Sequence, residues 1–508
     1  VVGLLGLAGA AFVLFTGASL SWQFAGLIPV ASIHLGIDPL SAFFVIPISI
    51  LGMLCAVYGA GYLKGHADSR AVRISWLNYN LLLASMILVV LARNAVVFLL
   101  AWETMALTSF FLVTFDHDKP QVRTAGWIYM IATHLGTAFV IALFAILGHK
   151  AGSFEFDAME QAGVTLPPFT AGLMFIFAVI GFGAKAGFLP VHVWLPEAHP
   201  AAPSHVSALM SGVMIKTGIY ALLRVLGFLN PAPWWGWTLL IIGLASGILG
   251  VLYALAQQDL KRLLAYCSVE NIGIIMLGLG LGYIGMTYGI PAIAVLGFAG
   301  ALLHVINHAL FKGLLFLGAG AILHATGTTN IDNLGGLYKR MPRTGLLFLI
   351  GTAAICGLPP FNGFISEFLI YLGAFQAVTD SPAAGTIACL LSISGLALMG
   401  GLAVATFTKA FGIVFLGEPR TECTLHAHEA NGLMLFPMGV LAAACVLIGL
   451  TAPLALIGLK PIVTSLSSLS PESIHASLYA TLKPMIGVVL GAGVLGLLVL
   501  VLTLLRRK

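Results

Sequence analysis

The sequence predicts an all-α, polytopic membrane protein, and three observations carry that prediction. Of its 508 residues, 60% are hydrophobic and only 8% are charged, whereas a soluble domain carries about 25% charged residues. The apolar residues fall in long runs, and a helix needs about 20 of them to cross a bilayer. The exposed Lys and Arg gather in alternate loops, as membrane orientation requires.

About fourteen spans follow from the length rule. In order they cover residues 3–20, 38–61, 76–92, 95–114, 124–148, 170–189, 203–228, 236–256, 264–285, 291–324, 345–372, 388–416, 433–456 and 483–505. The tenth is too long for a straight crossing, so tilt, a break or an extra-membrane turn is expected there. The sixth is interrupted at Pro190 and Pro196, within GFLPVHVWLPEAHPAAP, and the eleventh within CGLPPFNGF, Cys356 to Phe364. Proline removes a backbone donor and clashes with the preceding turn. Unwound backbone at that depth survives only where it lines a cavity or is buried in protein. Two broken helices five spans apart are the mark of a repeated transporter fold with its site near the midplane.

Loop charge sets the orientation. One set of loops holds Lys64, Arg70, Arg73, Lys119, Arg123, Lys261, Arg262, Lys339, Arg340, Arg343, Arg420 and the terminal Arg506-Arg507-Lys508. The other holds Arg93, Lys150, Arg224, Lys460 and Lys483 with Glu155, Asp157 and Glu160. The first set is therefore cytoplasmic.

The functional signal is charge where charge is costly. An ionisable group at bilayer depth costs at least about 2.5–3.5 kcal/mol on insertion. Lys185, Lys216, Lys312, Lys409, Glu103, Glu270, Glu367, His134, His304 and His308 all fall inside apolar spans. Snorkelling near a helix end or a structural ion pair are the plain alternatives. For Lys185, Lys216 and Glu103, well inside their spans or beside a break, the pathway reading is preferred. Glu270, Lys409 and His134 stay open between the two. His304, His308 and Lys312 recur every four residues and stack on one helix face, with Asn307 beside them. Desolvation and nearby carboxylates act in opposite directions on a lysine's proton affinity, and histidine titrates near neutrality. Such groups, joined by water, are what a proton relay requires.

Other chemistry is excluded by what is missing from the motifs. The six cysteines are scattered without a CxxC pair, which argues against zinc, iron–sulfur and disulfide frameworks. There is no Walker loop, no HExxH and no dinucleotide fingerprint following a strand. His192, His199 and His205 cluster at the first break, but without a matching Cys or carboxylate set a metal site there is disfavoured. No metal, no catalytic residue and no nucleic-acid partner are expected.

At these residues the chain resembles the antiporter-like subunits shared by respiratory complex I, membrane-bound group-4 nickel–iron hydrogenases and multisubunit cation/proton antiporters. The likeness runs over roughly residues 38 to 450. It rests on AWETMALTSFFLV, GFGAKAGFLPVHVWLPEAHPAAPSHVSALMSGVMIKTG, LAQQDLKRLLAYCSVENIG, HVINHALFKGLLFLGAGAI and GLPPFNGFISEF. THLGTAF, SVENIGII, NHALFKGLLFLGAG and LPPFNGFISE look like the hydrogenase-4 and formate hydrogenlyase group, with complex I subunits as runner-up.

The resemblance implies two inverted five-helix repeats, residues 76–228 and 236–416, each with a broken helix, followed by C-terminal helices over 417–508. It implies that Glu103 and Lys185 form the first-half pair, Lys216 connects the halves, Lys312 is the second central lysine and Glu367 the terminal group. The Glu103 span is fourth here but fifth in the family, and members of the hydrogenase group run on past this chain's C-terminus into a lateral helix. An N-terminal helix is therefore expected beyond the sequence, and at the other end either a C-terminal portion is missing or the protein is a shortened variant. The implied function is H⁺ movement in a redox-driven complex of the prokaryotic cytoplasmic membrane. Its partners would be other membrane subunits and a peripheral redox module, with nickel–iron and iron–sulfur centres there and none in this chain. The alternatives are a complex I subunit or a stand-alone Na⁺/H⁺ antiporter subunit.

Overall fold

The computed structural model describes residues 2–28, 31–66, 69–378, 382–467 and 469–506. The chain opens with α1 (Val2–Thr16), a hairpin of β1 (Leu20–Ile28) and β2 (Ala31–Ile37), α2 (Pro39–Tyr62), α3 (Arg70–Leu91), α4 (Ala95–Val113), α5 (Pro120–Ala151) and α6 (Phe156–Val164). Then come α7 (Pro168–Ala186), α8 (Leu195–Ala201), α9 (Ser204–Leu209), a π-helical turn (Met210–Met214), α10 (Ile215–Leu226), α11 (Pro233–Leu255), α12 (Leu260–Tyr288) and α13 (Pro291–Thr326). The remainder is α14 (Pro342–Ile355), α15 (Asn362–Ala377), α16 (Ala383–Phe415), α17 (Glu422–Leu425), α18 (Gly432–Leu450), α19 (Ala452–Gly458), α20 (Lys460–Leu466) and α21 (Pro471–Arg506).

Among the described residues, twelve helices are long and apolar enough to cross a membrane, and α1 and α14 are shorter apolar helices. The protein is a polytopic helical membrane protein, with about fourteen expected spans standing close to that number. Sequence punctuation explains the boundaries. Proline opens α2, α5, α7, α11, α13, α14 and α21, where its missing N–H costs nothing. The tenth expected span is one uninterrupted helix, α13, of 36 residues. At 1.5 Å per residue it runs about 54 Å, well past a hydrocarbon core of about 30 Å, so its ends stand outside that core.

Both expected breaks are present. The first chain reversal follows Ala186, with Gly187 at φ +79°, and Pro196 sits in the first turn of α8. The second follows Ile355, with Gly357 at φ +61°. Each break contains a cis X-Pro bond, Leu189-Pro190 and Pro359-Pro360.

The first expected span is the one that changes shape. Helix ends at Thr16, and Leu20–Ile28 and Ala31–Ile37 pair antiparallel, with Trp22 opposite Leu35 and Gln23 opposite His34. Alternation of apolar and polar residues over so short a stretch is a strand signal that hydropathy averaging hides. The hairpin docks through Glu155, which accepts from Ser32 and, at 2.8 Å, from His34 Nδ1 and Asn94 Nδ2. Burial pushes the Glu155 carboxyl up, but these donors outweigh it and hold it below the ordinary glutamate value. Nearby, Asp38 accepts from both Arg224 nitrogens, at 2.7 and 2.8 Å, and lies 3.2 Å from Arg93. Burial opposes its ionisation, yet Arg224, then Arg93 and the Ser41 amide, hold it far below the usual carboxylate range.

Ser204–Leu226, α12 and α13 form the interior, wholly or almost wholly enclosed by the rest of the chain. Gly243 and Gly250 of α11 lie so close to Gly273, Leu277 and Glu270 of α12 that a Cβ on either would strike backbone, and a Cβ on Gly273 would strike the backbone of Gly247. Small residues of this kind let membrane helices pack at short range.

Candidate functional site

The central helix α13 presents His304, His308 and Lys312 on one face, all fully buried. His304 is held at both nitrogens: Nδ1 lies 2.9 Å from Ser366 Oγ and Nε2 lies 3.0 Å from Asn271 Oδ1. Asn271 uses its amide N–H on the Cys267 carbonyl at 2.7 Å, so its oxygen faces the ring and Nε2 must donate. The Ser366 hydroxyl then tracks the ring's charge. When it points at Nδ1 it serves a neutral imidazole. When it points at the Gly363 carbonyl, 2.9 Å away, Nδ1 must donate and the ring is imidazolium. A hydroxyl rotor therefore switches with each proton held.

Lys216 meets this face from α10. Its Nζ contacts His308 Nδ1 and the Ser211 carbonyl. The π-helical turn just before α10 widens the helix by a residue and frees that carbonyl, a distortion common at functional sites. His308 Nε2 is buried without a protein partner. Lys312 donates to the Leu264 carbonyl and stands over the Phe316 ring, 5.7 Å from its centroid. Ser211 and Ser268 hydroxyls, 2.8 Å apart, join α12 to the turn.

In the first half, Lys185 closes α7 immediately before the break. Its Nζ sits 3.5 Å from Tyr129 Oη and between the Trp102 and Tyr129 rings, 5.4 and 5.6 Å from their centroids. The ammonium is thus held by cation–π attraction. Glu103, the next residue after Trp102, pairs instead with His134 at 3.3 Å. His134 Nδ1 lies 3.0 Å from the Met130 carbonyl, which only accepts, so Nδ1 carries hydrogen. Glu103 and Lys185 have no ion pair within 4.0 Å.

The other candidates are placed as follows. Glu367 faces the second break, where a Cβ at Gly357 would sit 2.8 Å from its Oε2. Glu270 is buried with Oε2 unpartnered. Lys409 donates to the Leu255 and Gln257 carbonyls, both at 2.9 Å, and so caps the C-terminal end of α11, the placement a helix dipole favours. Lys261, counted by sequence among loop charges, is instead buried, donating to the Pro200 and Ala202 carbonyls at the C-terminal end of α8. Arg262 pairs with Glu197.

Tyr129, Trp102, Asn271, Ser366 and Ser211 were missed by a search for charge. Asn271 and Ser366 each stand one residue from a glutamate that search did find. Among the described residues, no group of three or more His, Cys, Asp or Glu side chains is placed to hold a metal ion.

Residues 92–394 match the family described as NADH:quinone oxidoreductase/Mrp antiporter, TM. The chain is 42% identical to hydrogenase-4 component B of Escherichia coli K12 over 454 residues, 89% of this chain and 67% of that protein. It is 36% identical to formate hydrogenlyase subunit 3 of the same organism, over 89% of this chain and 72% of that one. Its fold matches a chain of the Mrp complex from Dietzia sp. DQ12-45-1b with a TM-score of 0.77 at 21% identity, covering 94% of this chain and 93% of that one. With well over half its length matched and these relatives spanned across two thirds of theirs, the chain belongs to the NADH:quinone oxidoreductase/Mrp antiporter family of membrane subunits.

Proposed function

We propose that this chain is the antiporter-like, proton-translocating membrane subunit of a redox-driven complex of the hydrogenase-4 and formate hydrogenlyase type in the cytoplasmic membrane. The single observation that carries the reading is the contact of Lys216 with His308. Two basic side chains that meet at full burial repel if both are charged, so they share protons rather than hold them independently. The pathway runs from Glu103 and Lys185 at the first break, through Lys216, to His308, His304 and Lys312, and out by Glu367 at the second break. His134 and Glu270 are accessory to it. Residues 76–228 and 236–416 act as its two halves. Electron transfer takes place in partner subunits that carry the nickel–iron and iron–sulfur centres, and this chain supplies the ion path.

Lys185→Ala in the intact complex, reconstituted in vesicles, abolishes coupled proton movement while assembly persists. Unchanged proton transport would overturn the assignment. The family's Mrp branch supports a second reading, a Na⁺/H⁺ antiporter subunit working without a redox partner. Purification separates the two: metal-containing subunits that co-purify favour the first, and Na⁺-dependent proton flux without them favours the second.

A further inference from the structure

Two buried histidines play no part in the pathway just described. His199 and His205 are at most 1% exposed, and all four of their ring nitrogens lack a protein partner. A buried polar group left unsatisfied costs about 1–3 kcal/mol, and a phenylalanine in either place would pack without that cost. The positions therefore call for an explanation beyond packing.

Their surroundings supply one. The His205 ring lies 6.1 Å from Tyr62, Tyr62 lies 5.8 Å from His324, and His324 lies 6.2 Å from His428. Exposure falls along this line: His428 and His324 are exposed, Tyr62 is half-buried and His205 is buried. Tyr62 and His324 also line an open cavity of about 630 Å³ whose rim carries Asp116, His117, Asp118 and Lys119. These loops belong to the cytoplasmic set by charge. On the inner side, the turn between His199 and His205 is clamped by Lys261 through the Pro200 and Ala202 carbonyls. His199 packs on the Phe316 ring at 5.2 Å, the same ring on which Lys312 stands.

We propose that this cavity is the cytoplasmic proton-uptake mouth of the subunit, and that His324, Tyr62, His205 and His199 relay protons from it to Lys312. This rests on the proton-translocating reading above. Asp116, Asp118 and His117 collect H⁺ at the rim. His324 takes a proton at one ring nitrogen and gives one up at the other. Tyr62 accepts at its oxygen as its own O–H proton leaves inward, so it ends neutral. His205 and His199 repeat the imidazole step, and Lys312 receives the proton as an ammonium. Each hop breaks one X–H bond and makes one, and no electrons move. Where no direct hydrogen bond spans a hop, the relay requires a bridging water.

The test uses the intact complex in vesicles with the cytoplasmic face outward, following proton uptake with a pH dye. His324→Ala slows uptake at least about a hundredfold, the lower end of what a positioned proton carrier contributes, and added imidazole restores it through the open cavity. His205→Phe, which keeps the aromatic packing, slows uptake similarly without rescue. Asp116→Asn with Asp118→Asn, both at the surface, slows it at alkaline pH and leaves assembly intact. The proposal is overturned if His324→Ala and His205→Phe take up protons at the wild-type rate while Lys185→Ala is inactive; the functional reading then stands and the mouth lies elsewhere. It is equally overturned if His324→Ala is slow and imidazole does not restore it, the result of a structural role. Wild-type transport in Lys185→Ala would instead sink the functional reading itself.

Discussion

At the residue scale, burial of an ionisable group has two explanations that sequence position cannot separate. Lys216 and Lys409 are both lysines inside apolar spans. Lys216 contacts another titratable side chain, His308, whereas Lys409 is spent on the last carbonyls of α11. Lys216→Met should therefore cut proton transport at least about a hundredfold with the complex assembled. Lys409→Ala should leave transport near normal and cost about 1 kcal/mol of stability, the usual scale for a lost cap or dipole interaction. Vesicle transport assays beside thermal melts in detergent check both. Transport lost in Lys409→Ala with an unchanged melt would put Lys409 in the pathway. The histidine ladder of α13 was legible because a period of four on a helix is a geometric fact. Ser366 and Asn271 were not, since a neutral side chain in an apolar span costs too little to stand out.

At the scale of elements, the two breaks matter because a charged pathway residue stands at each. Lys185 ends the helix before the first, and Glu367 faces the second. The second break is held in place by α18, where Gly449 lies so close to Pro360 that a Cβ would overlap its carbonyl. Gly449→Ala should destabilise the protein by about 1–3 kcal/mol, as overpacking does, and impair transport by shifting the Glu367 side of the pathway. A melt and a transport rate equal to wild type would show that α18 does not brace the break. Proline announced both breaks in the sequence. The hairpin at residues 20–37 gave no comparable sign, because a strand's period of two averages to nothing in a hydropathy window.

Across the whole molecule, the face opposite the basic loops is closed by two polar clusters, Asp38 with Arg93 and Arg224, and Glu155 with Ser32, His34 and Asn94. Asp38→Asn leaves two largely buried guanidinium groups short of their counter-charge and should cost about 3 kcal/mol. Glu155 adds a pH dependence. Its folded value lies below its ordinary 4.5, so its contribution is complete above 4.5 and is lost as pH falls through the lower folded value. Hydrogen exchange in residues 20–37 should therefore speed up below that pH in wild type, while Glu155→Gln exchanges fast throughout. Exchange in wild type that does not change across that range would show that Glu155 does not hold the hairpin.

The sequence alone determined the solvent, the spans and the two breaks, because each follows from local chemistry: apolar length and proline. It also marked Glu103, Lys185, Lys216, Lys312 and Glu367, since charge in an apolar run is visible without a fold. Only the tertiary structure decided who meets whom. It set Glu103 against His134 and not directly against Lys185, gave Lys185 the rings of Trp102 and Tyr129, turned Lys409 and Lys261 into helix caps, and joined Lys216 to His308. A contact between residues 92 positions apart depends on how α10 packs on α13, and packing is settled by the shape of every side chain between them, which no local pattern records.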